Sequence, residues 1–136
     1  MALDLSTDRI TPVDGVFNID KPFGITTMDV VRRIKRASGQ KRVGHGGTLD
    51  PIATGVVHIC LGQATRMMEY VIDFTKVYEV QIELGIETDT YDSAGQVIRV
   101  GDASLIKAND VRSALQQFIG CIEQVPPMYS ALKVNG

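Results

Sequence analysis

Twelve consecutive residues, Gly44-His45-Gly46-Gly47-Thr48-Leu49-Asp50-Pro51-Ile52-Ala53-Thr54-Gly55, restrict the folds open to this chain more than any other stretch. Four of the twelve are glycine, which loses the most conformational entropy on ordering and is used where the backbone needs positive φ or close approach. The stretch therefore reads as a loop. Pro51 fixes its own φ and biases Asp50 away from the α region, so the carboxylate is held. His45 and Asp50 are the chemically capable side chains here. Strongly patterned segments flank them, as when a scaffold presents a shaped site.

On the N-terminal side, residues 1–12 lack periodicity and read as a flexible tail, leaving 13–136 for the folded part. Gly15 to Asp20 reads as a strand with Phe17 and Ile19 on one side, closed by the Asp20-Lys21-Pro22-Phe23-Gly24 turn, where Lys21 is taken as an ordinary turn lysine. Thr26 and Asp29 make a capping box for a helix with Val30, Val31, Ile34 and Ala37 inward and Gly39 as its stop. After the loop, Val56 to Leu61 suits a buried strand, in which His58 is read as a hydrogen-bonded core or edge residue. Ala64, Met67, Met68 and Val71 then predict a packing helix over Gln63 to Ile72.

Lys76 to Gly85 is the clearest strand pattern, with Tyr78, Val80, Ile82 and Leu84 alternating against Glu79, Gln81 and Glu83. Thr88 to Gly95 reads as a polar turn and Gln96 to Val100 as the return strand. Asn109 is expected to cap a helix to Phe118, followed by a strand from Cys121 to Val125.

With 136 residues, 44% hydrophobic and 22% charged, the chain suits one domain with a real core. No apolar run is long enough for a membrane span and the N-terminus lacks the pattern of a secretory signal, so the expected location is cytoplasmic, without a membrane partner. Cys60 and Cys121 lie far apart with no metal-type spacing, and are read as buried free thiols. A net charge of −2 argues against a general nucleic-acid binder. Yet Arg32, Arg33, Lys35, Arg36, Lys41 and Arg42 crowd together just before the loop, as a solvated helix face or as phosphate contacts.

For His45 and Asp50, a serine triad is disfavoured by the lack of a Gly-x-Ser-x-Gly elbow. A metal site has only His58 as a nearby third ligand, and paired-carboxylate glycosidase chemistry lacks a second acid. A single held carboxylate can still act at a sugar's anomeric carbon, or help deprotonate the sugar.

Gly44-His45-Gly46-Gly47-Thr48-Leu49-Asp50-Pro51, with Ala53-Thr54-Gly55 and Leu61-Gly62-x-Ala64-Thr65-Arg66, resembles the signature of the TruB-type tRNA pseudouridine synthases, whose relatives include dyskerin. Further motifs agree in order: Asn18-Ile19-Asp20-Lys21-Pro22-x-Gly24-x-Thr26, Lys76-x-Tyr78, Thr88-Asp89-Thr90-x-Asp92-x-x-Gly95, and Val125-Pro126-Pro127-x-Tyr129-Ser130-Ala131-x-Lys133. The sequence departs from the pattern at Gly46, where many members have threonine or serine, and at His58, where many have proline.

The resemblance implies an α/β (α+β) fold, a mixed, mostly antiparallel sheet flanked by helices, of which this chain is the N-terminal part. It implies an isomerase that flips the T-loop uridine of tRNA and converts it to pseudouridine without cofactor or metal, acting as a monomer. Asp50 matches the catalytic aspartate, Tyr78 the tyrosine that stacks on the flipped base, and His45 the histidine that fills the vacated space. Asp92 matches the residue that holds an arginine against the catalytic aspartate; that arginine lies downstream of the motifs found here. The six basic residues from Arg32 to Arg42 would track phosphates of the tRNA T-stem-loop. Two alternatives are a tRNA-binding module without turnover and an interaction domain whose glycine loop is only a turn.

Overall fold

The computed structural model describes residues 11–125, and the chain divides into two compact units, Met1–Val77 and Tyr78–Gly136. The tail expected over 1–12 lies outside the described residues except for Thr11 and Pro12, which are exposed and irregular. The motif from Pro126 onward lies outside them too.

The first unit runs β1 (Gly15–Lys21), α1 (Thr27–Ser38), β2 (Val43–His45), β3 (Gly55–Leu61), a 3-10 segment (Gly62–Met67) and α2 (Met68–Ile72). The strands form an antiparallel sheet in the order β1-β3-β2, with Ile19 opposite Val57, Asn18 opposite His58 and His45 opposite Ile59. Alternation along β3 sends Val57, Ile59 and Leu61 to one face, where they meet Val30 and Val31 of α1 together with Val43. Ile19, Ile25, Ile34 and Leu49 pack around this core. Helix α1 starts as its sequence requires: Thr26 Oγ1 accepts from Asp29 N–H at 3.1 Å, Asp29 Oδ2 accepts from Thr26 N–H at 3.0 Å, and Gly39 closes it in the left-handed region.

Two local expectations shift. The glycine stretch is not loop throughout, because Gly44 and His45 pair with Cys60 and Ile59 and end β2. Gly44 suits this strand because a Cβ there would lie 2.5 Å from the Met68 sulfur. The helix expected over Gln63 to Ile72 is 3-10 up to Met67, and the three-residue period changes the phase of its apolar row. Val71 is buried while Met67 turns outward.

The second unit contains an antiparallel hairpin of β4 (Ile86–Thr88) and β5 (Val97–Val100), then α3 (Ala108–Leu115) and a 3-10 turn (Gln116–Phe118). The strand expected over Lys76 to Gly85 is absent among the described residues, and Tyr78, Val80, Ile82 and Leu84 are all exposed. Alternation specifies a surface that suits a sheet; a strand also needs a hydrogen-bonding partner. The strand expected from Cys121 to Val125 is likewise irregular. Lys107, not Asn109, is the N-cap of α3, since Asp110 Oδ2 accepts from Lys107 N–H at 2.8 Å and Asn109 Oδ1 is taken by Arg112 at 2.9 Å. Cys60 is buried as expected, but Cys121 is exposed, since no described residue covers its irregular segment. No residue from 78 to 125 is buried. Among the described residues, no helix is long and apolar enough to cross a membrane.

Candidate active site

Asp50 opens a tight turn in which Ala53 N–H donates to its carbonyl at 3.0 Å, with Pro51 at the second position, where its fixed φ fits. The Asp50 side chain is exposed to solvent, while the backbone around it is tied on three sides. Thr27 Oγ1, at the start of α1, accepts from Leu49 N–H at 3.0 Å and donates to the Leu49 carbonyl at 3.1 Å. The Pro51 carbonyl accepts from Gly24 N–H at 2.8 Å. Gly46 N–H donates to the His58 carbonyl of β3 at 2.9 Å.

Lys21, at the end of β1, has no exposed surface. Its ammonium donates to the Ile25 carbonyl at 2.8 Å, the Pro22 carbonyl at 3.1 Å and, more weakly, the Pro51 carbonyl at 3.5 Å. A buried ammonium is tolerable only when its protons are met, and carbonyl oxygens meet them here. Lys21 and Thr27 are thus the supports of the loop that the turn-lysine reading missed. The one signal in the sequence was register: Phe17, Ile19 and Lys21 share a face of β1.

His45 is half-buried, with Nδ1 at 2.8 Å from the Gly47 carbonyl. A carbonyl only accepts, so Nδ1 carries the proton and Nε2 is the nitrogen left for another partner. Gly46 packs against α2 so closely that a Cβ would stand 2.6 Å from Val71 Cγ1. His58 supplies the Gly46 tie through its backbone, and among the described residues no three His, Cys, Asp or Glu converge as metal ligands.

Arg33, Lys35 and Arg36 on α1, and Lys41 and Arg42 after it, are exposed. Arg32 is engaged by Asp29 at 2.7 Å. Lys41 and Arg42 border an open depression with Asp14, Gln40, Gly62 and Gln63, and Asp50 is not part of its lining.

Tyr78 and Asp92 belong to the second unit. Tyr78 is 63% exposed. Asp92 sits in the loop joining β4 to β5, where its Oδ1 accepts from Thr90 Oγ1 at 2.7 Å and Ala94 N–H at 2.8 Å. Those bonds, Thr90's first, hold its carboxyl below the usual range. Thr88 Oγ1 also donates to the Asp92 carbonyl at 2.7 Å, and Tyr91 beside it takes a φ of +62°.

An antiparallel sheet that straps an Asp-Pro turn to two neighbouring elements defines a loop-borne carboxylate site. Residues 35–136 match the family model described as TruB family pseudouridylate synthase (N terminal domain), and the chain belongs to that family. More particularly, it is 50% identical over 124 residues to tRNA pseudouridine synthase B of Clostridium perfringens (strain 13 / Type A), a match covering 91% of this chain and 42% of that protein. A Dehalococcoides mccartyi protein of the same name is also 50% identical, with 91% and 41% covered. Among solved structures, the chain resembles one described as a Cbf5-Nop10-Gar1 complex, at 30% identity and a TM-score of 0.59, over 88% of this chain and 31% of the other. The α+β fold implied by the motifs agrees with that likeness. The chain spans about 42% of the length of the curated relatives it matches.

Proposed function

We propose that this chain supplies the aspartate-bearing part of a tRNA pseudouridine synthase that isomerises the T-loop uridine. The single observation that carries the proposal is Asp50, presented on a turn whose backbone is fixed from β1, α1 and β3. The names of the relatives support the RNA substrate. In this reading Asp50 acts at the ribose to break the C1′–N1 bond of a flipped uridine. The freed uracil rotates, C1′ bonds to C5, the C5 proton leaves to solvent and N1 gains a proton. Tyr78 stacks on the flipped base, a contact worth about 1–3 kcal/mol. His45 occupies the gap left in the RNA, its ring oriented by the Nδ1 bond to Gly47. Asp92 receives the downstream arginine, and Arg33, Lys35, Arg36, Lys41 and Arg42, with Arg32 beside them, follow phosphates.

No step draws on a cofactor or metal. The working form is a monomer in the cytoplasm, spanning residues 13–136 here. A second reading, tRNA binding without turnover, is favoured by the solvent exposure of Asp50, since carboxylate catalysis gains from seclusion.

Tritium release from tRNA transcript labelled at C5 of uridine tests both. The chain joined to the downstream region of the Clostridium perfringens relative is expected to release tritium, and the same protein with Asp50→Asn is expected to release none. Release by the Asp50→Asn protein would overturn the role of Asp50. Binding of the transcript with no release from the joined protein would establish the second reading instead.

A further inference from the structure

Phe23 is 69% exposed, on the turn that joins β1 to α1. A single exposed phenylalanine is ordinary on a protein surface; the fixing of its backbone sets this one apart. Phe23 and Gly24 are the central pair of the turn, and Gly24, at φ +84°, suits the third position of a type II turn. The buried Lys21 ammonium grips both ends, through the Pro22 carbonyl at 3.1 Å and the Ile25 carbonyl at 2.8 Å. Gly24 N–H donates to the Pro51 carbonyl at 2.8 Å, so this turn is bonded to the one that carries Asp50. Standard bond lengths and that one hydrogen bond place the α-carbons of Phe23 and Asp50 within about 11 Å of each other. Among the described residues with exposed aromatic side chains, Phe23 is the one whose turn is hydrogen-bonded to the Asp50 turn. A ring on a fixed backbone has only its side-chain torsions left to order, so a flat partner covers it at little entropic cost.

We propose that Phe23 is a stacking platform for a nucleobase adjacent to the flipped uridine in the RNA strand. This role rests on the reading that the chain acts on RNA at Asp50. A uridine turned out of its stack to reach Asp50 leaves its neighbours unstacked on one side, and an aromatic ring beside the carboxylate replaces the lost stacking. Every base has a π-face, so Phe23 contributes affinity and position more than sequence selection. Tyr78, assigned to the flipped base itself, belongs to the second unit, so the two aromatics take different bases. A protein segment is a poorer occupant. Burying Phe23 under one would lay a chain across the turn bonded to Asp50, where the substrate has to reach the carboxylate.

Stem-loop binding by fluorescence anisotropy tests this on the 136-residue chain and on the chain joined to the downstream region of the Clostridium perfringens relative, both carrying Asp50→Asn so that no turnover intervenes. Phe23→Leu keeps an apolar side chain without a π-face, and is expected to weaken binding of the intact T-stem-loop about tenfold, whereas Phe23→Trp is expected to preserve it. Two further stem-loops are abasic at the nucleotide on the 5′ or the 3′ side of the target uridine. On one of them the proteins with Phe23 and with Phe23→Leu are expected to bind equally, because the base that the ring stacks on is gone. A loss that persists on both abasic stem-loops overturns the role, assigning the ring to protein packing where the melting temperature without RNA falls as well. Equal binding of the intact stem-loop with and without Phe23→Leu also overturns it, as does absence of binding by both proteins. Tritium release with Asp50 restored reports on isomerisation separately. Release by a protein whose binding ignores Phe23 keeps that reading and removes this role, and abasic-sensitive binding without release does the reverse.

Discussion

An ammonium group with no exposed surface and three carbonyl oxygens around it makes Lys21 the support of the Asp50 turn most sensitive to substitution. Lys21→Met keeps the stem's packing and removes every donor, so stability should fall by about 1–3 kcal/mol, seen as a lower urea midpoint. Gly46 is constrained by space. Gly46→Ser drives its Cβ into Val71, and a loss of about 1–3 kcal/mol is expected in thermal melts, partly restored by Val71→Ala. That pairing also rationalises glycine where many family members carry threonine or serine: Val71 already fills the room. The held turn that carries Asp50 and His45 was legible in the sequence because glycine and proline chemistry marks a shaped loop over neighbouring residues. Lys21 was not, since one of its acceptors lies 30 positions away and only the folded sheet brings it near.

Helix α1 was legible in its cap, its stop and most of its stripe, all written within one stretch of chain, although Ala37, expected inward, is exposed. Asp29 carries a pH dependence with it. The hydroxyl and N–H of Thr26, then Arg32, lower its carboxyl from the usual 3.8 to about 2. A depressed folded-state value stabilises the helix above the unfolded value, and this contribution is lost as pH falls from about 4 through about 2. Far-UV circular dichroism of the chain over that range should show a transition that Asp29→Asn removes. The segment from Lys76 to Gly85 marks the opposite limit. Its alternation is as clear as any in the chain, but a strand is a property of two segments and the described residues contain one. Asn109 failed as a cap for a smaller reason, because Asp110 reaches back to Lys107 and starts the helix earlier.

Across the molecule, six of the fourteen Lys and Arg residues gather on α1 and just after it, in a chain of net charge −2. In the proposed reading, counterion release governs RNA binding. Replacing Arg33 and Arg36 together by Gln should reduce the slope of log affinity against log salt by about 1–2, measured by fluorescence anisotropy with a T-stem-loop. Arg32→Gln should change it less, because Asp29 already neutralises that guanidinium. The division at Val77 carries a consequence for synthesis. Every tie on the Asp50 turn comes from residues between Lys21 and His58, so its supports have all been synthesised before the hairpin is translated. The Met1–Val77 segment, produced alone and released from the ribosome, should therefore already protect the β3 amides, so the carboxylate is set in place without any residue of the second unit.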